Sequence, residues 1–284
     1  MRRLRAVLAT LTLLIGLTAT PASAAGINDP SCRSTANPVV LVHGTGDNKD
    51  YTWRMLGPLL AQRGFCVYSL TYGVPPGAPV TGDVIGGLTP MDYSAGQLQS
   101  FVDSVLSATG SSKVDLVGYS QGTWLGTYYA KFLDGAGKID KYVSLAPGWH
   151  GTDPYGLAEL YALLRALGLG WTGQVITGCA VCPELLAGSA LLTRLQAGGV
   201  FLPGITYTNI VSTHDDLVVP YTSGLGEGPN VTNVVLQRGC AVDEVNHAGL
   251  PFDPNALGEV VNALDPDHAR PVPCVPMSPV PPRH

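Results

Sequence analysis

The chain has 284 residues, 45% of them hydrophobic and only 13% charged, with a formal net charge of −5. Its 16 basic residues form no cluster, which excludes the electrostatic footprint of a nucleic-acid binder, and the apolar content excludes a disordered chain. Six cysteines, an even number, are expected to form disulfides in an exported protein.

The chain begins with a basic head (Arg2, Arg3, Arg5), an apolar run from Ala6 to Leu17, and the small residues Ala22-Ser23-Ala24 after Pro21. The run is too short for a comfortable membrane span, so residues 1–25 are expected to be a cleaved signal peptide. Residues 26–284 are then about 260 residues of one α/β domain, with no later segment resembling a span.

Apolar runs follow at Pro38–Val42, Phe65–Leu70, Lys113–Val117, Lys141–Ala146, Ile205–Val211 and Thr232–Gln237. Between them lie helical patterns. Trp53, Leu56, Leu59 and Leu60 make a short one, and Leu98, Phe101, Val102, Val105 and Leu106 a longer one. Near-continuously apolar strands alternating with helices predict a mostly parallel sheet covered on both faces. Gly73–Thr89 is expected to be a surface loop. Residues 148–203 form an insertion after the fourth strand, where Leu157, Leu160, Tyr161, Leu164 and Leu167 repeat at helical spacing, either as a core helix or as a cap. From about residue 266 the chain is a Pro-rich tail.

Gly118-Tyr119-Ser120-Gln121-Gly122 directly follows the third strand, and Thr123–Phe132 can continue as a helix. A G-x-S-x-G sequence at such a turn projects a serine hydroxyl above the sheet edge, the architecture of an α/β-hydrolase nucleophile. That hydroxyl needs a base. His43 precedes Ser120, His150 precedes any acid candidate, His214 adjoins the acids, and His268 and His284 lie in the tail. His247, in a loop after the last strand, fits the order Ser, acid, His. Asp215 and Asp216 both follow the fifth strand, and the residues alone leave the acid open between them. For an oxyanion hole, the backbone N–H of Gln121 is one expected donor. Thr45, in His43-Gly44-Thr45-Gly46 after the first strand, is expected to add its N–H and its hydroxyl. Cys179-Ala-Val-Cys182 has no second CxxC and no nearby histidine, so it is expected to be a structural pair, and neither metal nor cofactor is expected.

Together Leu41–Gly46, Ser120-Gln121-Gly122, Leu145-Ala146-Pro147, Gly188–Leu191, Asp215–Pro220 and His247-Ala248-Gly249 resemble the lipases related to Candida antarctica lipase B and their shorter secreted actinobacterial relatives. The resemblance implies an α/β-hydrolase fold, and a Ser120–Asp215–His247 triad, since only Asp215 stands at the family's distance from its proline, Pro220. It further implies Cys32–Cys66 and Cys240–Cys274 bridges, leaving Cys179–Cys182 as a local pair. The substrate-binding set is then Tyr119, Gly148, Leu185, Leu217 and Val218. Gly148 and Leu185 replace a polar pair of the family, and the fungal C-terminal extension has no counterpart after about Pro282, which implies a more open and apolar cleft. The function implied is triacylglycerol lipase or esterase chemistry by a secreted monomer, on an ester substrate that includes lipid at an interface. The alternatives are a cutinase-like polyester hydrolase and an inactive binding module on a hydrolase fold.

Overall fold

The computed structural model describes residues 26–78, 84–173 and 178–281, so the expected signal peptide lies outside the described residues. Six strands, β1 (Val39–Val42), β2 (Val67–Leu70), β3 (Val114–Tyr119), β4 (Ile139–Leu145), β5 (Thr206–Val211) and β6 (Val231–Val235), form one sheet in the order β2-β1-β3-β4-β5-β6. Every neighbouring pair is parallel.

Side-chain alternation splits the interior into two cores. Val40, Val42, Leu116 and Tyr142 face one side, where they meet Leu98, Val102 and Val105 of α3 (Met91–Thr109) and Trp124, Leu125 and Tyr129 of α4 (Gln121–Phe132). Val39, Leu41, Val117, Val143 and Ile210 face the other, against Leu56 and Leu60 of α2 (Leu56–Gln62). β1, β2 and β3 are buried at every residue, and strands covered on both faces read as near-continuous apolar runs, whereas the edge strand β6 exposes Thr232 and Asn233. A short α1 (Lys49–Thr52) precedes α2. After β2 the chain crosses back over β1 to β3. The strand order therefore reverses between β1 and β3, and their carboxyl ends border the crevice where such sheets hold ligands.

The insertion carries α5 (Leu157–Ala166) and α6 (Ala190–Gln196). Of α5 only Ala158 is buried, while Leu160, Leu163 and the following Leu167 are 52%, 58% and 65% exposed, so α5 is not a core helix and its leucines lie at the surface. β6 stops at Val235 because the chain coils at once into α7 (Leu236–Gly239). The sequence reading contained no helix after His247, yet α8 (Pro254–Leu264) lies there and packs Ala256, Leu257 and Val260 on the second core. Its start signal is plain: Asp253 accepts from the N–H groups of Asn255 and Ala256 at 2.9 and 3.0 Å, and Pro254 takes the first helical position.

The Pro-rich segment is not a free tail. The Cys240–Cys274 bridge fixes its root, Asn255 exchanges two hydrogen bonds with Val275 (2.8 and 2.9 Å), and Glu244 N–H donates to Met277 O at 3.0 Å. Bridges also join Cys32 to Cys66 and Cys179 to Cys182. The Cys32–Cys66 and Cys240–Cys274 bridges each close 34 residues, a loop for which cross-linking removes about 4 kcal/mol of unfolded-chain entropy.

Candidate active site

The nucleophile candidate is held by its backbone. Ser120 has φ 51° and ψ −121°, a conformation that costs about 1–3 kcal/mol and needs support. Its N–H donates to Leu145 O at 2.9 Å, while its carbonyl accepts from the N–H and the hydroxyl of Thr123 at 2.9 and 2.7 Å. Gly122 lets α4 start directly against β1, because a Cβ there would lie 2.1 Å from Val42 O. The first turn of α4 leaves N–H groups without intrahelical acceptors, Gln121 among them, beside the serine.

His247 Nε2 lies 2.9 Å from Ser120 Oγ, and its Nδ1 lies 2.9 and 3.0 Å from the two oxygens of Asp215. Because Asp215 is hydrogen-bonded to Nδ1, that nitrogen carries the proton and Nε2 faces the serine as an acceptor. The side chains of His247 and Asp215 are 5% and 2% exposed, so the row sits out of bulk water. Asp215 Oδ1 also accepts from the N–H groups of Leu217 and Val218 at 2.9 and 2.7 Å, which fixes the carboxylate plane. Asp216 points elsewhere. Its carboxylate accepts from Asn246 Nδ2 at 3.1 Å and from His247 N–H at 3.3 Å, holding the histidine loop by its backbone. The geometry thus separates two carboxylates that the residues alone left equivalent. Tyr119 adds a further tie, its buried hydroxyl donating to His247 O at 2.9 Å.

The loop after β1 rests on His43. Burial drives its imidazole down to about 4, so the ring is neutral. Gly44 O only accepts and Tyr72 N–H only donates, which places the proton on Nδ1 (2.7 Å to Gly44 O) and leaves Nε2 to accept (3.3 Å from Tyr72 N). Gly46 N–H to Gly86 O (3.0 Å) and Gly86 N–H to Asp47 O (2.8 Å) clamp the same loop from outside. Thr45 Oγ1 donates its single hydrogen to Gln121 Oε1 at 2.6 Å. Gln121 Nε2 is buried without an acceptor in this orientation. A half-turn of the carboxamide would set Nε2 against Thr45 Oγ1 and free the hydroxyl hydrogen.

These groups open into a cavity of about 420 Å³, within the range of small-ligand sites. Thr45, Tyr119, Ser120, Leu185, Leu217, Val218 and His247 all line it. Gly148 lies behind Trp124 and is not on that lining: its carbonyl accepts from Trp124 Nε1 at 2.7 Å, and a Cβ there would sit 2.5 Å from the indole. Trp124 forms the wall that the sequence reading gave to Gly148. It stands in the first turn of α4, four residues beyond Ser120. Thr152 of the insertion also lines the cavity and braces the acid loop, donating to Leu217 O at 2.5 Å and accepting from Val219 N–H at 3.0 Å. Val280 and Pro281 line it too, and sequence reading missed them. Among the described residues no cluster suited to a metal ion is found.

The chain belongs to the alpha/beta hydrolase fold family, whose model matches residues 37–181. Solved structures share this architecture. Aspergillus fumigatus lipase B is 20% identical with a TM-score of 0.62, the match covering 85% of this chain and 55% of that one, so the chain spans about half the length of that relative. The mature form of Bacillus licheniformis lipase BlEst2 is 15% identical with a TM-score of 0.50, covering 71% of this chain and 83% of its own. The lin2722 gene product of Listeria innocua is 16% identical with a TM-score of 0.52, covering 81% and 94% respectively.

Proposed function

We propose that this chain is an exported serine carboxylic ester hydrolase, a lipase or esterase working through an acyl-enzyme on Ser120. One observation carries the reading: an unbroken row from Ser120 Oγ through His247 to Asp215, with contacts of 2.9 Å on both sides of the imidazole, at the wall of an apolar cavity. His247 Nε2 takes the hydroxyl proton as Oγ bonds to the ester carbonyl carbon. The N–H groups of Gln121 and Thr45 hold the resulting oxyanion, and Asp215 stabilises the imidazolium. The C–O bond to the alcohol then breaks, and His247 returns the proton to the departing oxygen. Water repeats the cycle on the acyl-enzyme and releases the acid.

The exposed leucines of α5 favour a substrate presented at a surface, emulsified lipid first and amorphous polyester second. Three disulfides suit an oxidising compartment, and no helix among the described residues is long and apolar enough to cross a membrane. The test is a rate series over p-nitrophenyl esters from acetate to palmitate, with triolein emulsion alongside, for the parent and for Ser120→Ala. The expected result is rising kcat/KM beyond acetate and a loss of about four orders of magnitude in the alanine variant. A parent without esterase activity, or an alanine variant that keeps it, overturns the reading. A parent that cleaves only acetate esters retains the esterase half and removes the lipase half.

A further inference from the structure

We infer that the segment 277–281 is a strap walling the subsite for the alcohol part of the ester, and that Val280 is its specificity-determining residue. The inference rests on the ester-hydrolase reading above and extends it to the leaving group.

The position of that subsite follows from the proton. The departing oxygen must collect its hydrogen from His247 Nε2, so the alcohol lies on the histidine side of the cavity. The residues that wall this side come from two segments: Ala248, Pro251 and Phe252 from the loop that carries His247, and Val280 and Pro281 from the strap. Trp124 and Leu185 line the same cavity from α4 and the insertion, elements that do not carry the histidine loop.

The strap is held at this wall by the same groups that hold the histidine. Asn246 Nδ2 donates to Val280 O at 3.0 Å, and Val280 N–H donates back to Asn246 Oδ1 at 2.9 Å. Asn246 Nδ2 is also bonded to Asp216 at 3.1 Å, and Asp216 accepts from His247 N–H at 3.3 Å. One short network therefore joins the backbone of the base to the backbone of the wall. Gly249 completes the fit: a Cβ there would lie 2.7 Å from Val245 Cγ2 and 3.2 Å from Val280 Cγ2, so a side chain at that position would push Val280 off the loop. With the Cys240–Cys274 bridge at its root and the Asn246 pair at its end, the strap holds Val280 against the loop that carries His247. A fixed apolar wall discriminates by volume, and one methylene in such a pocket is worth roughly tenfold or more in kcat/KM.

The experiment uses the full chain with two ester series. One keeps a butyryl group and varies the alcohol from methanol through primary to branched secondary alcohols. The other keeps p-nitrophenol and varies the acyl chain. Val280→Phe is expected to lower kcat/KM for branched-alcohol esters at least about tenfold relative to the methyl ester, and Val280→Ala to shift the ratio the opposite way. The ranking along the acyl series is expected to stay as in the parent for both. Reaction of Ser120 with a small fluorophosphonate reports that each variant is folded, and if Val280→Phe does not fold, Val280→Ala decides alone. An unchanged alcohol ranking, or a shift confined to the acyl series, overturns the strap assignment while leaving the hydrolase reading intact. A parent that cleaves neither series removes the hydrolase reading and the strap with it.

Discussion

Two adjacent carboxylates with different partners make the sharpest test of the site. In Asp215→Asn the amide oxygen can keep the N–H groups of Leu217 and Val218, now at 2.9 and 2.7 Å, so the loop retains its shape. The amide nitrogen then faces His247 Nδ1 and donates to it. Nδ1 becomes the acceptor, the ring proton moves to Nε2, and Nε2 can no longer take the hydroxyl proton of Ser120. The charge that stabilised the imidazolium is lost as well. A wrong tautomer with intact geometry costs about 10⁴ in kcat, equivalent to roughly 5.5 kcal/mol of transition-state stabilisation. Asp216→Asn retains an acceptor for one of the two bonds that Asp216 makes, at 3.1 and 3.3 Å, and its exposed position softens the rest. Its kcat should fall by less than about tenfold. Both variants are to be assayed with p-nitrophenyl butyrate at saturating substrate, and their melting temperatures recorded. Equal losses, or a larger loss in Asp216→Asn with the parent's melting temperature, would refute the assignment of Asp215 and the tautomer argument with it.

Thr45→Val removes a hydroxyl that the Gln121 half-turn would direct at the oxyanion; kcat should drop about a hundredfold with KM little changed, and an unchanged kcat would leave only backbone donors there. Gly122→Ala sets a Cβ 2.1 Å from Val42 O of a central strand, so chemical denaturation should show a loss of about 3 kcal/mol or more, and parent-like unfolding would contradict the packing. Asp253, buried and facing Asp243, has its carboxyl pushed from 3.8 up to about 6. The folded chain then holds a proton that the unfolded chain has released, so stability falls as pH rises from about 4 to about 6 and the loss persists above that window. Asp253→Asn escapes this, and its melting temperature relative to the parent should rise between pH 4 and pH 7; a flat or falling difference contradicts the shift.

What the sequence could and could not disclose follows from the kind of contact involved. The inner strands of the sheet and the turn at Ser120 were legible because they depend on local pattern: apolar runs buried on both faces in β1 and β3, then a small-residue turn where β3 meets α4. The choice between Asp215 and Asp216 had no such local pattern and rested in the sequence on the resemblance alone, through the spacing to Pro220. It depends on which carboxylate the N–H groups of Leu217 and Val218 capture, a matter of one turn's direction. For α5 the spacing of leucines fixed a helix with an apolar face but not what covers that face, and core and cap helices share this signal. The strap was the least legible element. Prolines at 271, 273, 276, 279 and 281 lack the N–H groups a strand ladder needs, so by composition the segment is a linker. Two of the valines between them have their donors met by a side chain in place of a strand: Val275 N–H by Asn255 Oδ1 and Val280 N–H by Asn246 Oδ1, both at 2.9 Å. The same two carboxamides return a hydrogen to the carbonyls of Val275 and Val280, at 2.8 and 3.0 Å. Asparagine thus replaces the neighbouring strand one residue at a time. A proline-rich segment paired this way is ordered by two residues far from it in sequence, one of which adjoins His247.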